Sequence, residues 1–270
     1  MTFLRALLAG AAVAGATLIS GAALASTLWV GNDTSGPVQR WTTGGASLGT
    51  FGAGGATGTA LDGSFAWTVQ PGSGDSVITK YNSSQTPLAT IHFTSGIENG
   101  NGFPSWIEDM ASGAGHTLWL SGYNGEIYHI DSLGTVLSHF DSGHTYSGIE
   151  VVGSTIFGSS GVTGGTIYTF DLSGTPTGSI LTDMTGIGGL AYDPTDHTLW
   201  AGSFGKLEHL SLTGTDLGIL SIGGGFHDGL AIGDLSAGVP EPAAWVTMLL
   251  GLGGLGAALR ARRRTATGIV

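Results

Sequence analysis

The chain has no cysteine, and positive charge is scarce between its two ends. Disulfides and thiolate metal sites are therefore excluded. Residues 26–238 contain three basic side chains, Arg40, Lys80 and Lys206, against eighteen acidic ones, a formal charge of −15. Such a surface repels nucleic acid and anionic lipid, so we expect no nucleic-acid partner. The excess acid either keeps a secreted protein soluble or attracts cations.

Enzyme motifs are also lacking. No nucleophile elbow, phosphate loop or dinucleotide fingerprint occurs in the strand-to-helix setting that each needs. The histidines form no pair at metal-ligand spacing. We therefore identify no catalytic residue and expect a protein that is not an enzyme.

Glycine, in contrast, is abundant, with 50 residues, and a unit of about 40 residues recurs. Each copy has an aromatic residue in a short apolar strand, a second alternating strand and then a turn rich in Gly, Asp and Ser. The aromatic residues are spaced 38, 52, 38 and 43 apart: Trp29, Trp67, Trp119, Phe157 and Trp200. His129 and His209 occupy equivalent positions, which indicates a shared structural role.

Four short strands in each unit predict an all-β fold, a β-propeller of about five four-stranded blades over residues 26–236. The first copy begins at Thr27 without a preceding strand, and Asp228–Ile232 is a strand without a following one. Pairing the two would close the ring and remove exposed sheet edges. A six-blade ring is the alternative, since the 52-residue spacing could hide a further element. A β-sandwich would not repeat so regularly.

The run Gly189–Pro194, G-L-A-Y-D-P, followed by Thr198-Leu199-Trp200, resembles propellers of the NHL, SMP-30 and streptogramin-lyase group. The resemblance is architectural, and those families usually have six or more blades. It implies a propeller fold. It also raises the possibility of a metal-dependent hydrolase or lyase.

Residues 1–25 are typical of a secretory signal peptide. Arg5 supplies the positive end, Leu7–Leu18 the apolar region and Ala23-Leu24-Ala25 the small-residue cleavage site. We predict cleavage between Ala25 and Ser26 after export by the Sec machinery.

The other end, residues 237–264, has three parts in order. The first is the motif Val239, Pro240, Glu241 and Pro242, whose prolines favour an extended, accessible peptide. Next comes an uncharged segment, 243–259, at the short limit for a transmembrane helix. A basic cluster then predicts a cytoplasmic C-terminal side: Arg260, Arg262, Arg263 and Arg264.

These three parts closely resemble the PEP-CTERM sorting signal of Gram-negative bacteria. The resemblance implies an inner-membrane-anchored intermediate, cleavage at the motif by an exosortase, and a final place on the cell surface or in the extracellular matrix. The family is associated with extracellular polysaccharide and biofilm. The simpler alternative, an ordinary anchor after a proline-rich linker, leaves the segment's shortness and terminal position unexplained.

A ligand site is expected where the inner strands of the blades begin, because those ends gather at one face of a propeller. Four residues there could bind Ca²⁺ or another divalent cation: Glu108, Asp109, His227 and Asp228. The alternative is that they solvate the channel mouth or cap turns.

Three functions follow from these patterns. The first is a non-catalytic propeller that binds within an extracellular polysaccharide matrix, with aromatic residues such as Trp41 and Tyr146 exposed to stack on sugars. The second is a metal-dependent hydrolase or lyase at the channel mouth. The third is a structural matrix component without a discrete ligand.

Overall fold

A computed structural model describes residues 26–32, 36–52, 54–72, 75–94, 106–144, 146–161 and 164–235. This part of the chain is all β, with five four-stranded antiparallel sheets arranged around one axis. The predicted propeller is therefore confirmed, and its ring has five blades, so the six-blade alternative is wrong. Each blade runs from an inner strand at the axis to an outer strand at the rim.

Four blades consist of consecutive strands, and blade I combines the first three strands with the last. Blade I joins both ends of the propeller and consists of β20 (Gly229–Ile232), β1 (Thr27–Gly31), β2 (Val38–Thr42) and β3 (Ser47–Phe51). Blade II consists of β4 (Gly58–Asp62), β5 (Phe65–Gln70), β6 (Ser76–Asn82) and β7 (Pro87–Phe93). Blade III consists of β8 (Ile107–Gly113), β9 (Thr117–Gly122), β10 (Glu126–Ile130) and β11 (Val136–Asp141). Blade IV consists of β12 (Ile149–Val152), β13 (Thr155–Ser159), β14 (Thr166–Asp171) and β15 (Pro176–Leu181). Blade V consists of β16 (Leu190–Asp193), β17 (Thr198–Ser203), β18 (Lys206–Ser211) and β19 (Asp216–Ser221).

Blade I closes the ring as the sequence predicts. β20 pairs antiparallel with β1, with Trp29 opposite Ala231. Beyond the strand, the indole Nε1 of Trp29 donates to the carbonyl of Gly233 at 2.9 Å, and the Thr27 hydroxyl donates to Asp234 at 2.6 Å. The two ends of the propeller are thus joined by both main-chain and side-chain bonds.

One cross-strand pair recurs around the ring. In four blades the aromatic residue of the second strand lies opposite a cationic or imidazole side chain of the third. The His129 and His209 rings stack on Trp119 and Trp200, with centroids 4.1 and 4.4 Å apart. Their shared structural role is therefore confirmed. The remaining pairs are Trp29 with Arg40 and Trp67 with Lys80, and blade IV has Phe157 opposite Thr169.

The turn between the third and fourth strands also recurs, with the same register shift in each blade. The carboxylates of Asp131 and Asp171 accept main-chain N–H bonds from the residues two and four positions later. Gly134 and Gly174 follow at positive φ. Side-chain acceptors of this kind are what such turns require.

The apolar core consists of five clusters, and each fills the space between two neighbouring blades. Between blades III and IV, for example, Trp119 and Ile127 pack against Ile149 and Phe170. No single blade therefore has a core of its own. The stability of each blade depends on its two neighbours.

Four glycines let the inner strands meet at the axis: Gly58, Gly148, Gly189 and Gly229. Together with Asp109 of blade III they form what we call the axial collar. A Cβ on Gly229 would lie 2.4 Å from the Cα of Gly58, and one on Gly189 would lie 2.7 Å from the carbonyl carbon of Gly229. Side chains do not fit at these contacts. The collar therefore requires glycine where one inner strand touches the next.

We predict that Gly229→Ala destabilises the propeller by about 3 kcal/mol or prevents its folding, because the added methyl overlaps the backbone of blade II. The matched control is Gly44→Ala, at a turn where the nearest atom to an added Cβ is 3.7 Å away. Urea unfolding followed by tryptophan fluorescence measures both. Equal stability of the two variants would contradict close packing at the axis.

Candidate functional site

The predicted site residues lie where the inner strands begin, which we call the N-terminal face. Glu108 and Asp109 belong to β8, where a bulge leaves Glu108 without a Cα partner on β9. His227 and Asp228 immediately precede β20. All four side chains are buried, and Asp109 and His227 are fully so. They therefore do not form an open, water-exposed mouth.

Asp109 takes the place in blade III that glycine takes in the other four blades. Its carboxyl accepts a main-chain N–H from Thr59 of blade II at 3.4 Å and from Ile149 of blade IV at 3.3 Å. Burial raises the pKa of Asp109 well above its ordinary value, although the N–H bonds oppose this. Its carboxyl thus joins three blades at the axis, which is a structural role.

His227 is held from one side. Its Nδ1 lies 2.7 Å from the side-chain oxygen of Asn32, and burial lowers the pKa of His227 to about 4. The ring is therefore neutral at neutral pH, and Nδ1 carries the proton that Asn32 accepts. Its Nε2 has no hydrogen-bond partner in the part of the chain that the structure describes.

The cation hypothesis needs several of these residues to face one point. Within the described ranges, no group of three or more histidines and acidic residues is placed so that it could hold a metal ion. Asp109 is engaged with the strand backbones, and His227 with Asn32. Ca²⁺ binding by Glu108, Asp109, His227 and Asp228 stays a prediction.

The open space is at the opposite, C-terminal face of the channel, and sequence reasoning missed it. A cavity of about 200 Å³ lies there, lined by residues of all five inner strands. Glu150 is its acidic group: one carboxylate oxygen accepts the N–H of Val151 at 2.7 Å and the other that of Tyr192, in blade V, at 2.9 Å. Burial raises the pKa of Glu150 to about 7.

Glu150 was missed because it stands in an ordinary apolar strand, Ile149–Val152. The available signal was an acidic residue on a strand predicted to line the channel. A carboxyl that titrates near neutral pH in a small cavity can exchange a proton or accept a hydrogen bond from a small ligand. Neither a nucleophile–base pair nor a metal group accompanies it among the cavity-lining residues that the structure describes.

Residues 238–264 match the family described as the PEP-CTERM protein-sorting motif. No curated protein matches the chain. Two solved structures similar to the propeller show its fold alone, at 13% identity each. The first, titled as a nidogen/laminin complex, has a TM-score of 0.53 and covers 78% of this chain and 99% of that one. The second, a Bacteroides caccae protein of unknown function, has a TM-score of 0.54 and covers 77% and 98%.

The motif implies export and processing by an exosortase, for an extracellular protein with a propeller domain. The motif residues, the 243–259 segment, the Arg cluster and residues 1–25 all lie outside the described ranges. The described residues include no helix that could cross a membrane. The signal peptide and the transmembrane helix stay predictions.

Glu150 predicts a pH dependence of stability. Its pKa is about 7 in the folded protein against 4.5 for the free group, so the folded state holds the proton more tightly. The stabilisation that Glu150 gives to the folded state is complete below pH 4.5 and is lost as the pH rises through 7. We expect the free energy of unfolding to fall by about 3 kcal/mol between pH 5 and 8 because of Glu150, and Glu150→Gln to abolish this fall.

Thermal and urea unfolding at pH 5, 6.5 and 8 measure this loss. A smaller decline in the same direction should remain, because burial also raises the pKa of Asp109. The control is Asp171→Asn: turn hydrogen bonds lower the pKa of Asp171, so this group is ionised throughout the range. If Glu150→Gln shows the same pH dependence of stability as the unchanged protein, the Glu150 carboxyl is not the source of that dependence.

Proposed function

We propose that this chain, which carries a PEP-CTERM sorting motif, is a non-catalytic component of an extracellular polysaccharide or biofilm matrix, held there by its propeller. The sorting motif is the observation that carries the proposal. It is the one segment whose function is recognisable, and its family is associated with extracellular polysaccharide. Exosortase and the Sec machinery are the partners during export.

The charge and chemistry of the propeller support a binding or structural role. Its charge of −15 disfavours attachment to anionic surfaces through simple electrostatics. Asp109 at the axis is bonded to the neighbouring strands, and among the cavity-lining residues that the structure describes Glu150 has no nucleophile or metal group beside it. A propeller also offers a rigid frame on which surface groups are fixed in position.

The location of the closing strands fits removal of both ends of the chain. β1 begins two residues after the predicted cleavage at Ala25, and β20 ends seven residues before Val239. Processing at both places would leave the blade that closes the ring intact. A cut further inside either end would remove a strand of blade I and open the ring.

The test is to replace Pro240, Glu241 and Pro242 together with alanine in the native host. We expect the protein to stay in the membrane fraction with its tail, because the extended peptide that the processing enzyme recognises is gone. The matched control replaces Ser236, which precedes the matched segment 238–264, with alanine and should be released normally. Immunoblots of membrane, envelope and medium measure the outcome, and normal release of the triple variant would overturn the sorting proposal.

A further inference from the structure

A second cavity, of about 190 Å³, lies at the rim of blade V on the N-terminal face. One wall is the surface of β18 and β19, where Lys206 and Glu208 stand two residues apart and Ile219 lies directly opposite Glu208. The other wall is the segment between β15 and β16, with Asp183, Met184 and Thr185. We call this space the rim cavity.

Glu208 is the unusual group in it. The side chain is only 1% exposed, and its Oε2 has no hydrogen-bond partner in the described ranges. Burial raises the pKa of Glu208, and the charges of Asp216 and Asp183 raise it further. A hydrogen bond with the Thr182 side chain opposes this rise in the pKa. A buried acceptor without a donor costs free energy unless something supplies one. A ligand that carries O–H or N–H groups would supply the donor that Oε2 lacks.

The other walls add polar groups and an apolar surface. Asp183 is a second acceptor, and Lys206 is a donor on the same strand face as Glu208. Met184 and Ile219 provide apolar contact. At the edge, Phe204 is 68% exposed and is held by Phe226, with ring centroids 4.7 Å apart. An exposed aromatic ring fixed beside hydrogen-bonding groups suits a ligand with both an apolar face and hydroxyls.

We propose that the rim cavity binds one sugar unit of a neutral or amino-substituted polysaccharide. Glu208 and Asp183 accept from its hydroxyl or amino groups, Lys206 donates to a ring or hydroxyl oxygen, and Phe204 packs on its C–H face. The volume suits a single pyranose ring. This site rests on the proposed matrix role, since a bound sugar unit would hold the propeller in the polysaccharide matrix.

Other ligand classes fit less well. An anionic sugar would meet two carboxylates and a strongly acidic surface, with Lys206 as the nearby cation. A purely apolar ligand would leave the Glu208 oxygen without a donor. A bound cation would need three or more acidic or histidine ligands, and no such group exists in the part of the chain that the structure describes.

The site belongs to blade V alone. The repeat places Gln39, Thr79, Tyr128 and Tyr168 at the position of Glu208 in the other blades. Blades III and IV thus carry a tyrosine where blade V carries the carboxyl. Trp41 is half-buried in the interface of blades V and I, and its stacking on a sugar stays a prediction. Tyr146 is fully buried, so its predicted exposure is wrong.

The experiment titrates the protein, purified from whichever cell fraction contains it, with glucose, galactose, mannose, glucosamine and N-acetylglucosamine. We expect at least one to bind with a Kd of about 1–10 mM, as a ligand of this size allows. Glu208→Gln should weaken binding about tenfold, because the amide keeps one uncharged acceptor oxygen and puts an NH2 donor in place of the other. Phe204→Ala should weaken it about fivefold through the lost ring contact. Isothermal titration calorimetry and ligand-observed NMR measure both.

The matched controls are Asp171→Asn and Leu133→Ala, an exposed acid and an exposed apolar residue away from the rim cavity, which should bind as the unchanged protein does. Circular dichroism checks that each variant is folded, and Glu208→Gln removes a buried charge, so it should not unfold. No binding of any of the five sugars at ~100 mM, far above the expected Kd, would overturn the proposal. So would binding that Glu208→Gln leaves unchanged. Since the assay does not depend on where the protein is found, failure of the site and failure of the sorting proposal are distinguishable.

Discussion

The structure depends on how closely five inner strands can meet at one axis. Gly58, Gly148, Gly189 and Gly229 touch the neighbouring blades through backbone atoms, and Asp109 completes the axial collar with bonds to Thr59 and Ile149. This contact closes the channel on the N-terminal face and leaves open space at its C-terminal end, beside Glu150. It also explains why the acids predicted to bind a ligand at the axis are buried. Ligand-sized space on the N-terminal face is found at the rim of blade V.

The remaining stability is distributed around the ring. Five apolar clusters fill the interfaces between blades, the aromatic pairs tie second strands to third strands, and the β1–β20 pair makes the arrangement continuous. A chain without cysteine thus joins the two ends of its propeller by strand pairing and by the side-chain bonds of Thr27 and Trp29. The strands that close the ring lie inside both predicted cleavage positions, so the proposed processing would leave the ring closed.

Much of the fold could be predicted because it repeats. The spacing of Trp29, Trp67 and Trp119, the turns rich in Gly, Asp and Ser, and the unpaired strands at both ends each report local geometry, and all reappear in the structure. The sites could not be predicted in the same way. Glu150 stands in a short apolar strand and Glu208 in an alternating one, and the surroundings of both depend on contacts with the next blade or the preceding loop, which no local pattern encodes. The predicted exposure of Tyr146 was wrong for the same reason. The residue lies in a loop, and its burial depends on packing against neighbouring strands, which the sequence does not show.

The two predicted cleavages would leave a mature protein that begins just before β1 and ends just after β20. The most direct test is the intact mass of the protein isolated from its native host, in membrane, envelope and medium separately. We expect a released form that starts at Ser26 and ends within or beside Val239–Pro242, with the ring-closing blade intact. A protein that keeps residues 243–270 in every fraction would contradict the account, because it would be a permanently anchored propeller and not a processed matrix component.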